Sequence, residues 1–513
     1  MSAGRIITIA DHPSGGRVED EADVVIIGTG PGGATAARVL AEAGVDVILV
    51  EEGRPWPREA RSADAWSSFK GAWRDASMQV ARGRAFWPVL QGCAVGGTTP
   101  INGAIIHRMP EQIHAAWCER YGVGDVLAWE RLTSVYDRLD DELGVAPAPE
   151  SRWGQNNDLF RRGAESMGMV SNPIRRCVRD CKGTSRCTQG CPSAAKQSMD
   201  VTFIPYAMER GARVYATCRV ERVMMRGRRA TGVRARFRQP TTGETGAAVQ
   251  LHARHGVIVA AGAIHTPLLL MGAGTGRPSG QVGRGLMCHP GSSVLGVFEE
   301  RVNMWYGATQ GYESTHYWDE GMKFEVVGVP PAVAAARLPG YGQRLMGYLG
   351  EARHITSWGV QIRARTVGRV RRGFGGRPAI SYDLVNQDVA LLKLGLKRLV
   401  HMAFGAGAKR VLMGVHGMPE VLTAPEQADA IDALPNDPRL FHAICAHLFG
   451  TAAIGATPET GVVREDGSVW DAEGLYVMDA SVLPTNMGVN PQHTICAASW
   501  LMAERLADRI AGA

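Results

Sequence analysis

The chain has 513 residues, 45% hydrophobic and 21% charged, with a net charge of +6 spread over its length. That balance suits a globular protein of two or three domains, or one large domain with an inserted partner. Like charge gathers only in short pairs such as Arg175-Arg176 and Arg371-Arg372, and no apolar run reaches the roughly 18 residues of a spanning helix, so neither nucleic-acid binding nor a transmembrane segment is expected.

Residues 1–22 are polar and lack the apolar run of a secretory signal, which makes the cytoplasm the expected location. Residues 24–27 are a short β-branched run that predicts a strand. Gly28-Thr29-Gly30-Pro31-Gly32-Gly33 follows at once. Residues 34–42 then have helical spacing, with Ala36, Val39 and Leu40 on one face, and residues 45–50 are a second β-branched run. Strand, turn, helix and strand match one βαβ unit. In that setting G-x-G-x-x-G is the turn of a dinucleotide site. Gly28 permits the tight turn, Gly30 lets the backbone approach a pyrophosphate, and Gly33 lets the helix pack closely on the strand. The helix N-terminus offers free N–H groups to phosphates. Glu51 lies about 20 residues past the glycines, where a carboxylate accepts from ribose hydroxyls and disfavours a 2′-phosphate. These residues imply a dinucleotide without separating NAD from FAD.

Farther along, residues 218–223 and 257–260 read as strands, and Gly262 with residues 264–271 as a turn and an apolar helix. From about 296 to 440, residues 356–363 and 379–383 alternate as strands do. Residues 389–404 predict a helix with Asp388 placed to cap it. Residues 475–478 predict a strand, and a helix runs from Thr494. Of ten cysteines, Cys93, Cys118, Cys218, Cys288, Cys445 and Cys496 are scattered and read as small buried hydrophobes. Cys177-x3-Cys181-x5-Cys187-x3-Cys191 is clustered; without an export signal, a metal or redox site outweighs a disulfide framework.

Four further segments carry a family resemblance. Gly92-Cys93-Ala94-Val95-Gly96-Gly97-Thr98-Thr99-Pro100-Ile101-Asn102 resembles the flavin-contacting loop of the glucose–methanol–choline oxidoreductases. Residues 261–270, AGAIHTPLLL, resemble their second signature, departing where Ala273-Gly274 replaces the usual Ser-Gly. Residues 282–290 resemble the segment after it, with Cys288 where Asp is common, and residues 474–485 resemble the closing flavin-site strand. The motifs keep the family order from residue 23 to the C-terminus; only 296–440 carries little signal. The resemblance implies an α/β fold: a Rossmann-like FAD-binding domain assembled from discontinuous segments, plus an α+β substrate domain with an antiparallel sheet. Residues 20–295 would be mainly FAD-binding, with a Cys-rich insert at 170–200. Residues 296–440 would bind substrate, and 441–513 would return to the FAD domain. It implies FAD held by the glycine turn and Glu51, with Gly97, Thr98 and Asn102 along the flavin. Val220 would touch the adenine, and Asp479 and Ala480 the ribityl–pyrophosphate region. Some members tether FAD through a His after Gly-Gly; Ile101 stands here, so non-covalent FAD is expected.

Oxidising an alcohol through a flavin requires that the hydroxyl proton leave and a hydride pass from carbon to N5. A base suits the first step, and histidine is the natural candidate. His447, in Ala446-His447-Leu448-Phe449-Gly450-Thr451, resembles the family segment carrying the catalytic His. The second family position, in Gly488-Val489-Asn490-Pro491-Gln492, is Asn490, with His493 as the competing choice. His265, His289, His401 and His442 read as core residues. The expected reaction is oxidation of an apolar or aromatic, primary or secondary alcohol, with oxygen or another electron acceptor. Met304, Trp305, Tyr306, Tyr312, Tyr317, Trp318 and Trp358 lend weak support to that substrate class. The Cys segment resembles that of the long-chain alcohol oxidase branch, and partly the iron–sulfur segment of sugar-dehydrogenase flavoprotein subunits. Cys177, Cys181, Cys187 and Cys191 thus stand for an iron–sulfur cluster, a zinc, or no metal. The alternatives are a sugar or polyol dehydrogenase passing electrons through such a cluster to a partner, and an FAD-containing lyase or decarboxylase. A binding protein with a vestigial site is the remaining reading.

Overall fold

Residues 4–13, 15–61 and 64–512 are described in the computed structural model; residues 1–3 and 14 of the polar N-terminal stretch lie outside them. Continuous valine and isoleucine runs suit strands buried on both faces of a parallel sheet, and such runs form the centre of the first sheet. Residues 24–27 end a strand, Arg17–Ile27, that pairs in parallel with Val47–Val50 on one side and Thr245–Val259 on the other. Its first half escapes sequence reading because the polar residues there alternate towards solvent. Arg213–Tyr215 extends one edge and Leu475–Val477 pairs in parallel with Thr245–Val259. Arg229–Arg238 and Cys218–Arg226 continue the other edge antiparallel. Helix Pro31–Glu42 joins the first two central strands, is buried from Gly32 to Ala41, and packs against the C-terminal helix Gln492–Ala511.

The second sheet is antiparallel apart from one parallel edge pairing, and centres on the long strand Arg284–Val297. Trp358–Ile362, Met322–Val326 and Tyr312–Ser314 follow it in that order, and Ile444–Phe449 and Arg410–Leu412 also pair with it. Val80–Arg82, Phe86–Pro88 and Asn172–Pro173 add strands from the N-terminal half. Helix Asn386–Gly405 packs against this sheet so closely that a Cβ on Gly395 would lie 2.8 Å from Val360 Cγ2. Asp388 does not cap that helix. It sits inside the first turn, and its carboxylate accepts from Arg365 N–H, Thr366 N–H and the Thr366 hydroxyl, tying the helix to the loop after Trp358–Ile362. Separate apolar cores back the two sheets. The fold is mixed α/β. Among the described residues no helix is long and apolar enough to cross a membrane.

Candidate active site

Open α/β sheets bind ligands beyond the carboxyl ends of their parallel strands. Here Ile27, Val50, Ala260 and Asp479, at four such ends, line a cavity of about 640 Å³ that runs on to the face of the second sheet. Cavities of roughly 300–1,000 Å³ hold small molecules and cofactors.

The glycine turn builds the near wall. Gly28 has φ 101°, and a Cβ there would lie 2.3 Å from Ala260 O. A Cβ on Gly33 would lie 2.1 Å from Gly28 O; Gly33 packs helix on strand and does not face the cavity. Gly30 differs: nothing lies within 4 Å of its would-be Cβ, and its open side is the cavity. Gly97 (φ 62°) brings the second loop to within 2.6 Å of Gly30 Cα, measured from its would-be Cβ. Helix Pro31–Glu42 starts with proline and has no side-chain cap, so its first N–H groups stay free for an anion. A bare backbone cradle at an uncapped helix end fits a dinucleotide pyrophosphate.

Glu51, Thr98, Asn102, Val220, Asp479 and Ala480 also line the cavity. The Glu51 carboxylate accepts from Thr29 N–H (3.0 Å), the Thr29 hydroxyl (2.7 Å) and Gly53 N–H (2.7 Å). Burial pushes its pKa up, against those bonds. Asp479 accepts from Gly262 N–H, the Thr266 hydroxyl, and Ser481 N–H and hydroxyl. Both carboxylates therefore brace the chain as well as face the cavity. Asn102 Nδ2 donates to Gln492 Oε1 at 2.6 Å. Sequence reading missed Glu52, Arg74 and His265, which line the same end. Arg74 pairs with Glu52 at 3.0 Å; against the effect of burial, it holds that carboxyl down at about 2. His265 is half-buried rather than core, and burial with the nearby Arg74 pushes its pKa down to about 3.

At the far end His447 and Asn490 meet. Asn490 Nδ2 is 3.1 Å from His447 Nε2. His447 lies on strand Ile444–Phe449 at a bulge: Met287 pairs with Phe449 and His289 with Ala446, so Cys288 alone opposes His447 and Leu448. Its φ is 57°, the left-handed region that a residue with a Cβ avoids, and bulges of this kind re-aim side chains. His289 is buried, as a core residue would be, but its Nδ1 lies 3.1 Å from His447 Nδ1. Gly488 N–H donates to His289 Nε2 at 3.0 Å, so neutral His289 carries its proton towards His447. From the other side Lys323, fully buried, donates to Asn490 Oδ1 at 2.9 Å. An ammonium only donates, so the amide must present its NH2 to His447. Donors thus run in from both ends, and the His447–Asn490 contact lacks an acceptor. Burial first, then Lys323 and His107, push the His447 pKa down to about 3, so the ring is neutral at pH 7.

His493 lies elsewhere: it is fully buried, stacked on Tyr136, with Nε2 3.1 Å from Asp140 Oδ1. The seven aromatic and Met residues from 304 to 358 do not line the cavity; Met304, Tyr312 and Trp358 are core, and Tyr306 is exposed. His401 is half-buried, and His442 is exposed at the cavity mouth, so neither is core. Of the six scattered cysteines, five are buried and Cys118 is half-buried.

The cysteine segment departs from the metal reading. Among the described residues no three His, Cys, Asp or Glu side chains are arranged to hold a metal ion. Two buried cations occupy that region instead. Arg176 donates to Gly103 O (2.9 and 2.7 Å) and to Cys187 Sγ (3.0 Å). Lys196 donates to Pro100 O, Asn102 O and Cys187 O. Burial opposes ionisation of Cys187, but these two cations outweigh it and hold the thiol below its usual pKa. The segment braces the carbonyls of the 97–103 loop from behind.

Comparison with known proteins identifies the family. Family models described as GMC oxidoreductase match residues 24–291 and 368–499. An uncharacterized GMC-type oxidoreductase of Mycobacterium tuberculosis is 36% identical over 510 residues, 99% of this chain and 78% of that protein. A long-chain-alcohol oxidase of Arabidopsis thaliana is 28% identical, covering 95% of this chain and 67% of its own length. The crystal structure of pyridoxine 4-oxidase from Mesorbium loti shares the fold at 17% identity, with a TM-score of 0.68 over 94% of this chain and 99% of that one. The chain belongs to the GMC oxidoreductase family.

Proposed function

We propose that this oxidoreductase converts an alcohol to a carbonyl compound with FAD held non-covalently in the cavity, His447 taking the hydroxyl proton and Asn490 donating to the substrate oxygen. The observation that carries the reading is the convergence of His447 Nε2 and the Asn490 amide, 3.1 Å apart, in the wall of the cavity. An alcohol oxygen placed there meets a donor amide and an imidazole at once, the geometry that stabilises developing negative charge on oxygen.

The cradle at Gly28 and Gly30, with Gly33 seating the helix behind it, and the free helix N-terminus would hold the pyrophosphate, and Glu51 the ribose side. Gly97, Thr98 and Asn102 would lie along the flavin, Val220 by the adenine, Asp479 and Ala480 by the ribityl chain. Bound FAD supplies the two-electron acceptor; orientation and proton handling belong to the chain. The depressed pKa keeps His447 neutral. Its base form needs the ring proton on Nδ1, which reverses the contact with His289 and requires the bond from Gly488 N–H to His289 Nε2 to be given up.

The second-sheet side of the cavity is lined by Leu295, Val327, Val329 and Val360 together with Gln310 and Gln361. That lining favours an aliphatic over an aromatic primary or secondary alcohol, and the Arabidopsis relative's name points the same way. Oxygen or another acceptor re-oxidises the enzyme. The test is an anaerobic alcohol screen of FAD-loaded protein: an aliphatic alcohol should bleach the flavin absorbance, and a panel in which none does so refutes the proposal.

A further inference from the structure

We infer that Lys323, clamped between two carboxylates, is the positioning residue that fixes the Asn490 amide for the reaction. Strand Met322–Val326 places Lys323 and Glu325 on one face, two residues apart. Glu313 on the next strand is directly opposite Glu325. Two like charges in register repel each other. Lys323 resolves the conflict, with Nζ 2.8 Å from Glu313 Oε2 and 2.8 Å from Glu325 Oε2. Its third hydrogen goes to Asn490 Oδ1 at 2.9 Å.

An ammonium has three donors and no acceptor, so these three contacts exhaust it. The surroundings are equally committed. Glu313 accepts from His107 at 3.0 Å and Glu325 from Gln310 at 2.9 Å. The side chain is 0% exposed, and the opposed carboxylates keep it charged against burial. A lysine serving only to neutralise the carboxylates needs no third partner. The third partner here is the side chain that faces His447. With its oxygen held, the amide cannot turn that oxygen towards a developing alkoxide, and the nearby cation polarises its NH2 group as a donor.

The inference rests on reading Asn490 as the donor to the substrate oxygen, and a double-mutant cycle separates the two. Anaerobic flavin reduction by a primary alkanol series is followed in FAD-loaded wild type, Asn490→Ala, Lys323→Met and the double variant. Asn490→Ala should slow reduction roughly 100-fold, the loss of one donor to an oxyanion. Lys323→Met should cost roughly 10- to 100-fold, and the double variant should be no slower than Asn490→Ala within about threefold, since coupled sites do not add. Because Lys323→Met leaves Glu313 facing Glu325, the charge-neutral pair Lys323→Met/Glu325→Gln, which keeps Glu313 with His107, is run through the same cycle. The pH profile adds a readout that packing alone would not move. His447 is surrounded by His289, Lys323, His107 and the neutral Asn490, so removing the lysine charge should move the acid limb of reduction to higher pH. Multiplying effects in the cycle, a wild-type rate in the charge-neutral pair, or an unmoved limb overturns the inference. A wild-type rate in Asn490→Ala overturns the reading of Asn490 itself.

Discussion

Replacing His447 by alanine and by glycine tests function and backbone together. Losing general-base assistance should slow flavin reduction by roughly two to four orders of magnitude, about 3–5 kcal/mol of barrier. The two variants should share that loss, since neither has an imidazole, and both should still bind FAD because His447 lies at the end of the cavity away from the glycine turn. Their stabilities should diverge. His447 sits at φ 57° in a bulge. A Cβ in the left-handed region costs about 1–2 kcal/mol, whereas glycine forfeits about 0.4–1 kcal/mol through the freer unfolded chain. The first term is the larger, so His447→Gly should equal or exceed His447→Ala in stability by up to about 1.5 kcal/mol. Thermal unfolding of the two apo-proteins in parallel reads the difference. A clearly less stable glycine variant would refute the strained bulge, and undiminished reduction in either would refute the role of the imidazole.

Gly30→Ala should fold normally, because nothing lies within 4 Å of the added Cβ, but weaken FAD binding; Gly33→Ala should unfold more readily, since its Cβ would meet Gly28 O at 2.1 Å. FAD titration and apo-protein melting separate the two effects. His447 is held at a pKa of about 3, so reduction should show no acid limb above about pH 5 in stopped-flow traces across pH. The same depression, shared by His265, means the unfolded chain binds protons that the folded one does not. Stability should therefore be complete above the ordinary histidine pKa and fall as pH drops from roughly 6.5 towards 3, which denaturant titrations at stepped pH would register. Cys187→Ala should loosen the 97–103 loop that Arg176 and Lys196 brace; a several-fold rise in FAD Kd is expected, with no iron in either wild type or variant by metal analysis.

The glycine turn was legible in the sequence because all its parts are local: one strand, one turn, one helix and a carboxylate at fixed offset. The environment of His447 was not. Met322-Lys323-Phe324-Glu325-Val326 alternates apolar and polar, which reads as a strand with a solvated face, yet that face meets the cavity. Only the pairing of Tyr312–Ser314 with Met322–Val326 shows that Glu313 and Glu325 coincide and that a lysine must lie between them. His289 looked like core because burial and proximity to another histidine share one apolar setting in a single sequence. The cysteine spacing suggested a metal because Arg176 and Lys196, the cations beside the thiols, read as surface residues until the fold buries them. Asp388 was read as the cap of a helix beginning at 389, whereas the helix begins at Asn386 and Asp388 lies inside its first turn; the loop its carboxylate holds precedes it by more than twenty residues, out of reach of a local reading.

The central claim is that an alcohol oxygen is received between His447 and Asn490 beside a bound flavin. Anaerobic mixing of FAD-loaded enzyme with aliphatic alcohols, read at the flavin absorbance band in wild type and His447→Ala side by side, tests it most directly. Rapid bleaching in the wild type and a rate at least a hundredfold lower in the variant are the predicted results; protein that takes up no FAD, or equal bleaching in both, would contradict it.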